Sequence, residues 1–122
     1  METGFSGFAK QRVGAVLVAA APFFDTRRER IIALAAQHRL PAMYQFREYA
    51  AVGGLISYGP SITDSYKQAG VYAGRILRGA NPGDLPILLP TRFEMVINLK
   101  TANALGLAIP NAMQLLADEV IE

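Results

Sequence analysis

The 122-residue chain is predicted to form an α/β fold, with three layers around a mostly parallel β-sheet. Residues 13–20 form an apolar run of strand length that does not alternate with polar residues, which is typical of strands covered on both faces. Strand-like and helix-like segments then alternate along the chain, as they do where helices join parallel strands. Hydrophobic residues make up 52% and charged residues 18%, so the composition favours a packed core over a disordered chain.

The first third of the chain predicts one strand and one helix. Residues 1–12 contain two glycines and precede the apolar run 13–20, so we expect an N-terminal tail or the remnant of a helix. Thr26 and Glu29 have the spacing of a capping box, in which each side chain satisfies the backbone amide of the other residue. This spacing predicts a helix that begins at Thr26 and ends near Arg39, just before a Leu-Pro pair.

The middle of the chain predicts two more buried strands and the longest helix. Residues 42–46 and 55–58 are short apolar strands, and residues 47–52 form a helical turn between them. Ser61 stands at the N-cap of a helix over residues 62–77, because a serine hydroxyl can accept a hydrogen bond from a free amide of the first turn.

The C-terminal third predicts a half-exposed strand and two short helices. Prolines at both ends of residues 85–90 favour an extended edge or crossover segment. Residues 91–99 begin with alternation, in which Phe93, Met95 and Ile97 face one side and Arg92 and Glu94 the other, as in a strand with one solvated face. Asn98 is placed to cap a short helix, a last helix is expected over residues 110–117, and residues 120–121 favour a terminal strand.

Several kinds of chemistry lack their residues in this sequence. There is no cysteine, and the single histidine, His38, is not paired with a nucleophile by any motif. Glycine-rich phosphate loops and the nucleophile elbow of hydrolases are also missing. We therefore expect no metal, no cofactor and no enzymatic activity. The 12 Lys and Arg residues against 10 Asp and Glu residues are spread along the chain, so nucleic acid is not an expected partner.

The longest nearly uncharged segment is too short to cross a bilayer. It covers residues 13–24, which is twelve residues, against the roughly 20 that a membrane-spanning helix needs. It is also not a signal peptide, because no cleavage pattern follows it.

Candidate binding residues follow the three parallel strands, because open α/β sheets bind ligands at the carboxyl ends of their strands. Aromatic side chains would form the walls, Arg47 would hold a carboxylate, and the amides beyond Ser61 would bind another anionic oxygen. The alternative is that the aromatic residues belong to the core. Three arginines at positions 27, 28 and 30 favour a solvated helix surface over a ligand site. The candidate set is Ala21, Phe23, Phe24, Arg47, Glu48, Tyr58 and Ser61.

Several short motifs resemble one family in the same order along the chain. They are VLVAAAPFF at 16–24, GGLISYGP at 53–60, PTRFE at 90–94, VINLKTA at 96–102 and ADEVIE at 117–122. Together they resemble the substrate-binding component of ABC-type transport systems, in a bacterial group related to tryptophan and tyrosine binders. The resemblance runs from about residue 13 to the end.

The resemblance implies a type I periplasmic binding fold, with two lobes that close around a ligand at a hinge. Residues 13–122 would then be the C-terminal portion of a longer protein. They would contain segments of both lobes, with crossovers near 46–58 and 86–90. It also implies a small-molecule solute, an ABC permease as partner and a periplasmic location. Members often carry Asp where this chain has Ala21, which removes one possible acceptor for a ligand ammonium.

Three functions remain open from the sequence. The first is a solute-binding component that holds a small organic molecule, such as an amino acid, in the interlobe cleft without transforming it. The second is a truncated α/β domain that binds no ligand and covers its exposed apolar surface by forming a homodimer. The third is a small α/β enzyme or regulatory domain, for which the sequence supplies no catalytic set.

Overall fold

A computed structural model describes all residues, 1–122, as one five-stranded sheet with seven helices. The strands are β1 (Val16–Val18), β2 (Ala42–Tyr44), β3 (Ile56–Pro60), β4 (Phe93–Asn98) and β5 (Glu119–Ile121). The helices are α1 (Glu2–Lys10), α2 (Pro22–Asp25), α3 (Arg28–Gln37), α4 (Arg47–Ala51), α5 (Ile62–Leu77), α6 (Leu99–Leu105) and α7 (Asn111–Leu116).

The sheet confirms the predicted α/β class with mostly parallel pairing. Its strands lie in the order β1-β2-β3-β4-β5, and only the β3–β4 pair is antiparallel. Residues 46–58 connect β2 to its parallel neighbour β3 within this same sheet. The segment that leaves the sheet lies between β3 and β4 and contains α5. The Ser61 amide donates to the Arg92 carbonyl at 3.1 Å and closes the base of this segment.

Local capping places three ends of two helices, α5 and α6, where the sequence predicts them. The Ser61 hydroxyl accepts from the Asp64 amide at 3.2 Å, and the Asn98 side chain accepts from the Thr101 amide at 3.1 Å. Gly106 ends α6 in the left-handed region, with φ of 74°, which an L side chain rarely adopts. Each of these ends depends on contacts within a few residues, so the sequence pattern alone predicts it.

The capping box at Thr26 is wrong. The Thr26 hydroxyl donates to the carbonyls of Pro22 and Phe23, so Thr26 ends α2 instead of beginning α3. The helix that was expected from Thr26 starts at Arg28, after a separate turn of four residues that begins at Pro22. Proline at the first position of that turn is favourable because it lacks an amide that would have no partner there.

The core lies where α1, α3 and α4 pack on one face of β1 and β2. It is formed by a cluster of nine buried side chains: Phe5, Val18, Ile31, Leu34, Ala35, Leu40, Ala42, Tyr44 and Tyr49. The rings of Tyr44 and Tyr49 stack with centroids 4.7 Å apart. Burial raises the pKa of Tyr44 to about 12, because the phenolate would lose its hydration there.

The other face of the sheet is only partly covered. Side chains in register on neighbouring strands share a face, so Leu17, Tyr58 and Phe93 are directed away from the core cluster. Leu17 is 73% exposed and Tyr58 is 51% exposed. Strand β4 is half-exposed only at its start, because Val96 and Ile97 on opposite faces are both buried, and the predicted alternation fails there.

Helix α5 buries none of its residues. Its apolar side chains Tyr66, Ala69, Ala73 and Ile76 are therefore exposed, and Leu77 at its end is 88% exposed. The extended segment that follows is exposed as well, with Ile87 at 95%. No helix of the chain combines the length and apolar character that a membrane span requires.

Candidate functional site

The carboxyl ends of β1, β2 and β3 lie side by side and carry the loops of the candidate site. The Ala20 amide, just beyond β1, donates to the Gln45 side-chain oxygen, just beyond β2, at 3.0 Å. A Cβ on Gly59, at the end of β3, would lie 2.1 Å from the Gln45 carbonyl oxygen. Only glycine therefore allows the ends of β2 and β3 to approach this closely.

A cavity of about 210 Å³ opens at this edge, between α2, α4 and the start of α5. Six residues line it: Asp25, Arg28, Phe46, Glu48, Tyr49 and Ile62. It combines two carboxylates and one guanidinium with two aromatic rings and one aliphatic side chain. Small-molecule sites in proteins also combine apolar walls with placed polar groups, and here half of the lining residues are charged.

The two carboxylates of the cavity differ in their hydrogen bonding. Asp25 accepts a hydrogen bond from the Tyr49 hydroxyl at 3.0 Å. Burial and this hydrogen bond raise the pKa of Tyr49, so the phenol stays protonated and acts as a donor. One carboxylate oxygen of Glu48 is buried and accepts no hydrogen bond. Buried polar atoms are nearly always paired, so this unpaired oxygen is an exception in the fold.

The two candidate guanidinium groups also differ. Arg47, which the sequence proposes as a carboxylate clamp, forms an ion pair with Glu119 at the start of β5. Arg28, interpreted from the sequence as part of a solvated helix surface, is half-buried and lines the cavity. Its Nε atom donates to the Asp25 carbonyl at 3.3 Å, and it takes part in no ion pair.

The candidate residues on α2 lie beside the cavity without lining it. Ala21 is the N-cap residue of α2. The rings of Phe23 and Phe24 meet edge to face, with centroids 5.6 Å apart. Phe24 packs against the core cluster, whereas Phe23 is exposed beneath the Arg27 guanidinium, 4.1 Å from the ring centroid.

Tyr58 and Ser61 do not line the cavity. The Tyr58 ring stacks on Phe93, with centroids 5.9 Å apart, on the sheet face opposite the core cluster. Ser61 is buried, and its hydroxyl is used as the cap of α5. Of the seven residues predicted from the sequence, only Glu48 lines the cavity.

Sequence reasoning missed Asp25, Arg28 and Tyr49. Asp25 lies five residues beyond the first apolar run, which was a usable signal, but Arg28 stands in a run of charged residues that resembles a solvated helix face. The Tyr49 hydroxyl on α4 donates to Asp25, which lies 24 residues earlier in the chain. A local sequence pattern cannot predict a contact at that separation.

The acidic side chains and the single histidine do not come together in a metal-binding cluster. No group of three or more His, Cys, Asp and Glu side chains could hold a metal ion. His38 stacks on Phe5 at the end of α3, with ring centroids 6.4 Å apart. The imidazole thus has a packing partner at the N-terminal helix, far along the chain from the loops that form the cavity.

Solved structures share this fold. A conserved domain protein from Vibrio cholerae and an ABC domain from Streptococcus pneumoniae in complex with L-Trp both match with a TM-score of 0.89 at 24% identity, over 98% of this chain. A ligand-free, open substrate-binding protein with adhesive properties from Clostridium difficile matches with a TM-score of 0.64 at 16% identity, over 99% of the chain. The chain spans 40% of the length of each of these proteins.

The family is shown by the sequence itself. A search of curated proteins finds no match. The family model described as ABC transporter substrate binding protein, by contrast, matches residues 9–121, nearly the whole chain. The chain belongs to the ABC transporter substrate-binding protein family.

Proposed function

We propose that this chain forms part of the solute-binding component of an ABC-type uptake transporter and holds a small organic solute, such as an amino acid. The observation that carries this proposal is the cavity at the carboxyl edge of the sheet, lined by charged and aromatic side chains. Family membership supports the same role. The cavity contains no activated nucleophile and no base positioned by a third group, so we infer binding without covalent chemistry.

We also propose that residues 61–92 contribute to a second lobe. Helix α5 buries no residue on this sheet, although its stripe of Tyr66, Ala69, Ala73 and Ile76 has the spacing of a buried helix face. The segment leaves and re-enters the sheet at the Ser61–Arg92 hydrogen bond. This assignment moves the first predicted crossover from residues 46–58 to the end of β3.

Closure of two lobes on a solute gives the function its mechanism. A solute that contacts both lobes binds the closed state more tightly than the open state and shifts the population between them. The closed form would then be recognised by an ABC permease. Members of this family typically act outside the cytoplasm, and we propose a periplasmic location for the protein that contains this chain.

Ligand-dependent stabilisation tests the proposal. The purified chain is screened by thermal unfolding and calorimetry against the 20 L-amino acids, with L-Trp as the first probe, and against sugars and organic acids. A solute at 100 times its Kd should stabilise the native state by about 2.7 kcal/mol. At about 4 °C per kcal/mol for a chain of this size, the melting temperature rises by roughly 10 °C. A well-folded sample that responds to no solute in the panel would refute the proposal.

Exposed apolar side chains favour a second candidate function, a self-associating domain that binds no ligand. Leu17, Leu77 and Ile87 are each more than 70% exposed, and burial of exposed apolar side chains favours association. Sedimentation velocity distinguishes the two candidates. A ligand-insensitive dimer supports self-association, whereas a monomer that binds a solute supports the transport role.

A further inference from the structure

We propose that the outer edge of strand β1 pairs with the same edge of a second copy of this chain, so that two sheets join into one. This inference rests on the second candidate function, self-association, and names the surface that forms the contact. The surface comprises β1 and the neighbouring helix α1, at the side of the sheet opposite β5.

Strand β1 is an edge strand with free backbone groups. It lies at one end of the order β1-β2-β3-β4-β5 and pairs only with β2. The Val16 amide donates to the Pro41 carbonyl at 2.9 Å, immediately before β2. Backbone groups of successive strand residues point to opposite sides, so the amide and carbonyl of Leu17 face outward. An unpaired edge of this kind is a template for another strand.

The sequence around β1 lacks the residues that normally prevent edge pairing. Residues 13–21 include no charged side chain and no proline, although natural edge strands are commonly protected by one or the other. The segment is also complementary to itself. An antiparallel pair centred on Leu17 aligns residues 13–21 of both copies and brings no like charges together.

An apolar groove of about 310 Å³ follows this edge. Its lining includes Val16, Leu17 and Val18 of β1 together with Phe5 and Phe8 of α1. Consecutive strand residues face opposite sides of the sheet, so a groove that all three β1 residues line runs along the edge itself. Leu17 is 73% exposed and Phe8 is 37% exposed, and a second strand would remove both side chains from water.

The amount of exposed surface agrees with a dimer. The chain has a mass of 13.2 kDa and exposes 8186 Å² of accessible surface. A compact monomer of that mass exposes roughly 6,400 Å², so this chain has an excess of roughly 1,800 Å². A standard-size interface buries about 800 Å² per partner. The excess is about twice that area, so it can include both an edge-to-edge contact and residues 61–92, which leave the sheet.

Sedimentation velocity over a wide concentration range tests the contact with one edge variant and one matched control. Leu17→Lys places a charge at the centre of the proposed contact, and Leu77→Lys makes the same change at an exposed leucine on α5. We expect the unmodified chain to dimerise. Leu17→Lys should weaken the dimer at least about tenfold, because two like charges then meet across the contact. Leu77→Lys should leave the dissociation constant unchanged.

A single introduced cysteine locates the contact directly, because the chain contains no cysteine of its own. The Cα atoms of directly opposite residues in an antiparallel pair lie about 5.5 Å apart, a separation that a disulfide spans. Under mild oxidation, Leu17→Cys should therefore form a covalent dimer. Leu77→Cys, the control, should crosslink at least about tenfold more slowly, because its thiols meet only by collision.

Failure of this inference is distinguishable from failure of self-association. A dimer that is insensitive to Leu17→Lys, or that crosslinks faster through Leu77→Cys, overturns the β1 contact and preserves self-association. A chain that stays monomeric at every concentration overturns both. These measurements report assembly alone, so the solute-binding proposal is tested separately by its ligand screen.

Hydrogen exchange on the unmodified chain gives the same decision if the variants do not fold. The outward-facing Leu17 amide should exchange at least about tenfold more slowly at high protein concentration than at low concentration, because pairing protects it. Equal exchange at both concentrations would overturn the β1 contact.

Discussion

Replacing Gly59 by alanine should open the gap between the ends of β2 and β3, where the cavity loops begin. The new Cβ would lie 2.1 Å from the Gln45 carbonyl oxygen and 2.8 Å from its Cγ atom. Ordinary contacts are near 3.5 Å, so the two strand ends must separate by more than 1 Å. The nearest obstacle is backbone, which cannot rotate away as a flexible side chain does. Overpacking costs about 1–3 kcal/mol, and we expect about 3 kcal/mol here.

Urea unfolding followed by circular dichroism measures this cost. With a slope near 2 kcal/mol per M, a loss of about 3 kcal/mol lowers the midpoint by about 1.5 M. Gly70→Ala is the matched control. Gly70 is within α5, and a Cβ there meets nothing within 4 Å, so the same substitution should stabilise by about 0.5–1 kcal/mol. A Gly59→Ala midpoint within error of wild type would refute the argument from strand-end contact.

Three further outcomes are expected. Asn98→Ala should lower the free energy of unfolding in urea by about 2–3 kcal/mol, because it removes the acceptor for the Thr101 amide at the start of α6 and the donor to the Ala50 carbonyl. A decrease below 0.5 kcal/mol would contradict this prediction. Stability should fall by roughly 2 kcal/mol from Tyr44 alone as pH rises from 10 to 12, because its folded pKa is raised and the unfolded chain releases the proton first. Flat denaturation midpoints over that range would overturn this prediction. Arg39 has φ of 52°, in the left-handed region that glycine adopts without strain, so Arg39→Gly should raise the melting temperature slightly. A decrease would show that the Arg39 side chain stabilises the fold by more than the strain destabilises it.

The fold followed from the sequence wherever local contacts determine it. Ser61 and Asn98 cap their helices through amides three residues away, and the buried strands are recognisable by their unbroken apolar runs. The prediction failed at Thr26, where two competing partners lie within four residues and the hydroxyl bonds backward to α2. A sequence pattern cannot choose between two local partners of similar energy.

A cavity lies at the edge of the sheet that the sequence indicates, but only Glu48 of the predicted residues lines it. The loops after the parallel strands do form the cavity edge, because the topology of such sheets brings their carboxyl ends together. The side chains that enter the cavity depend on helix rotation and on distant partners. Arg47 forms an ion pair with Glu119, which lies 72 residues further along the chain, whereas Arg28 donates only to the Asp25 backbone carbonyl.

Composition, apolar runs and short-range caps were thus sufficient to predict an α/β sheet and most of its order of elements. These properties depend on interactions over a few residues, which a linear sequence displays directly. Contacts between residues far apart in the chain decide the remaining features. They determine which guanidinium is neutralised, which carboxylate oxygen stays unpaired and which face of α5 has no partner. The folded geometry is needed to reveal them, because the free energy of those contacts depends on distances that the order of residues does not contain.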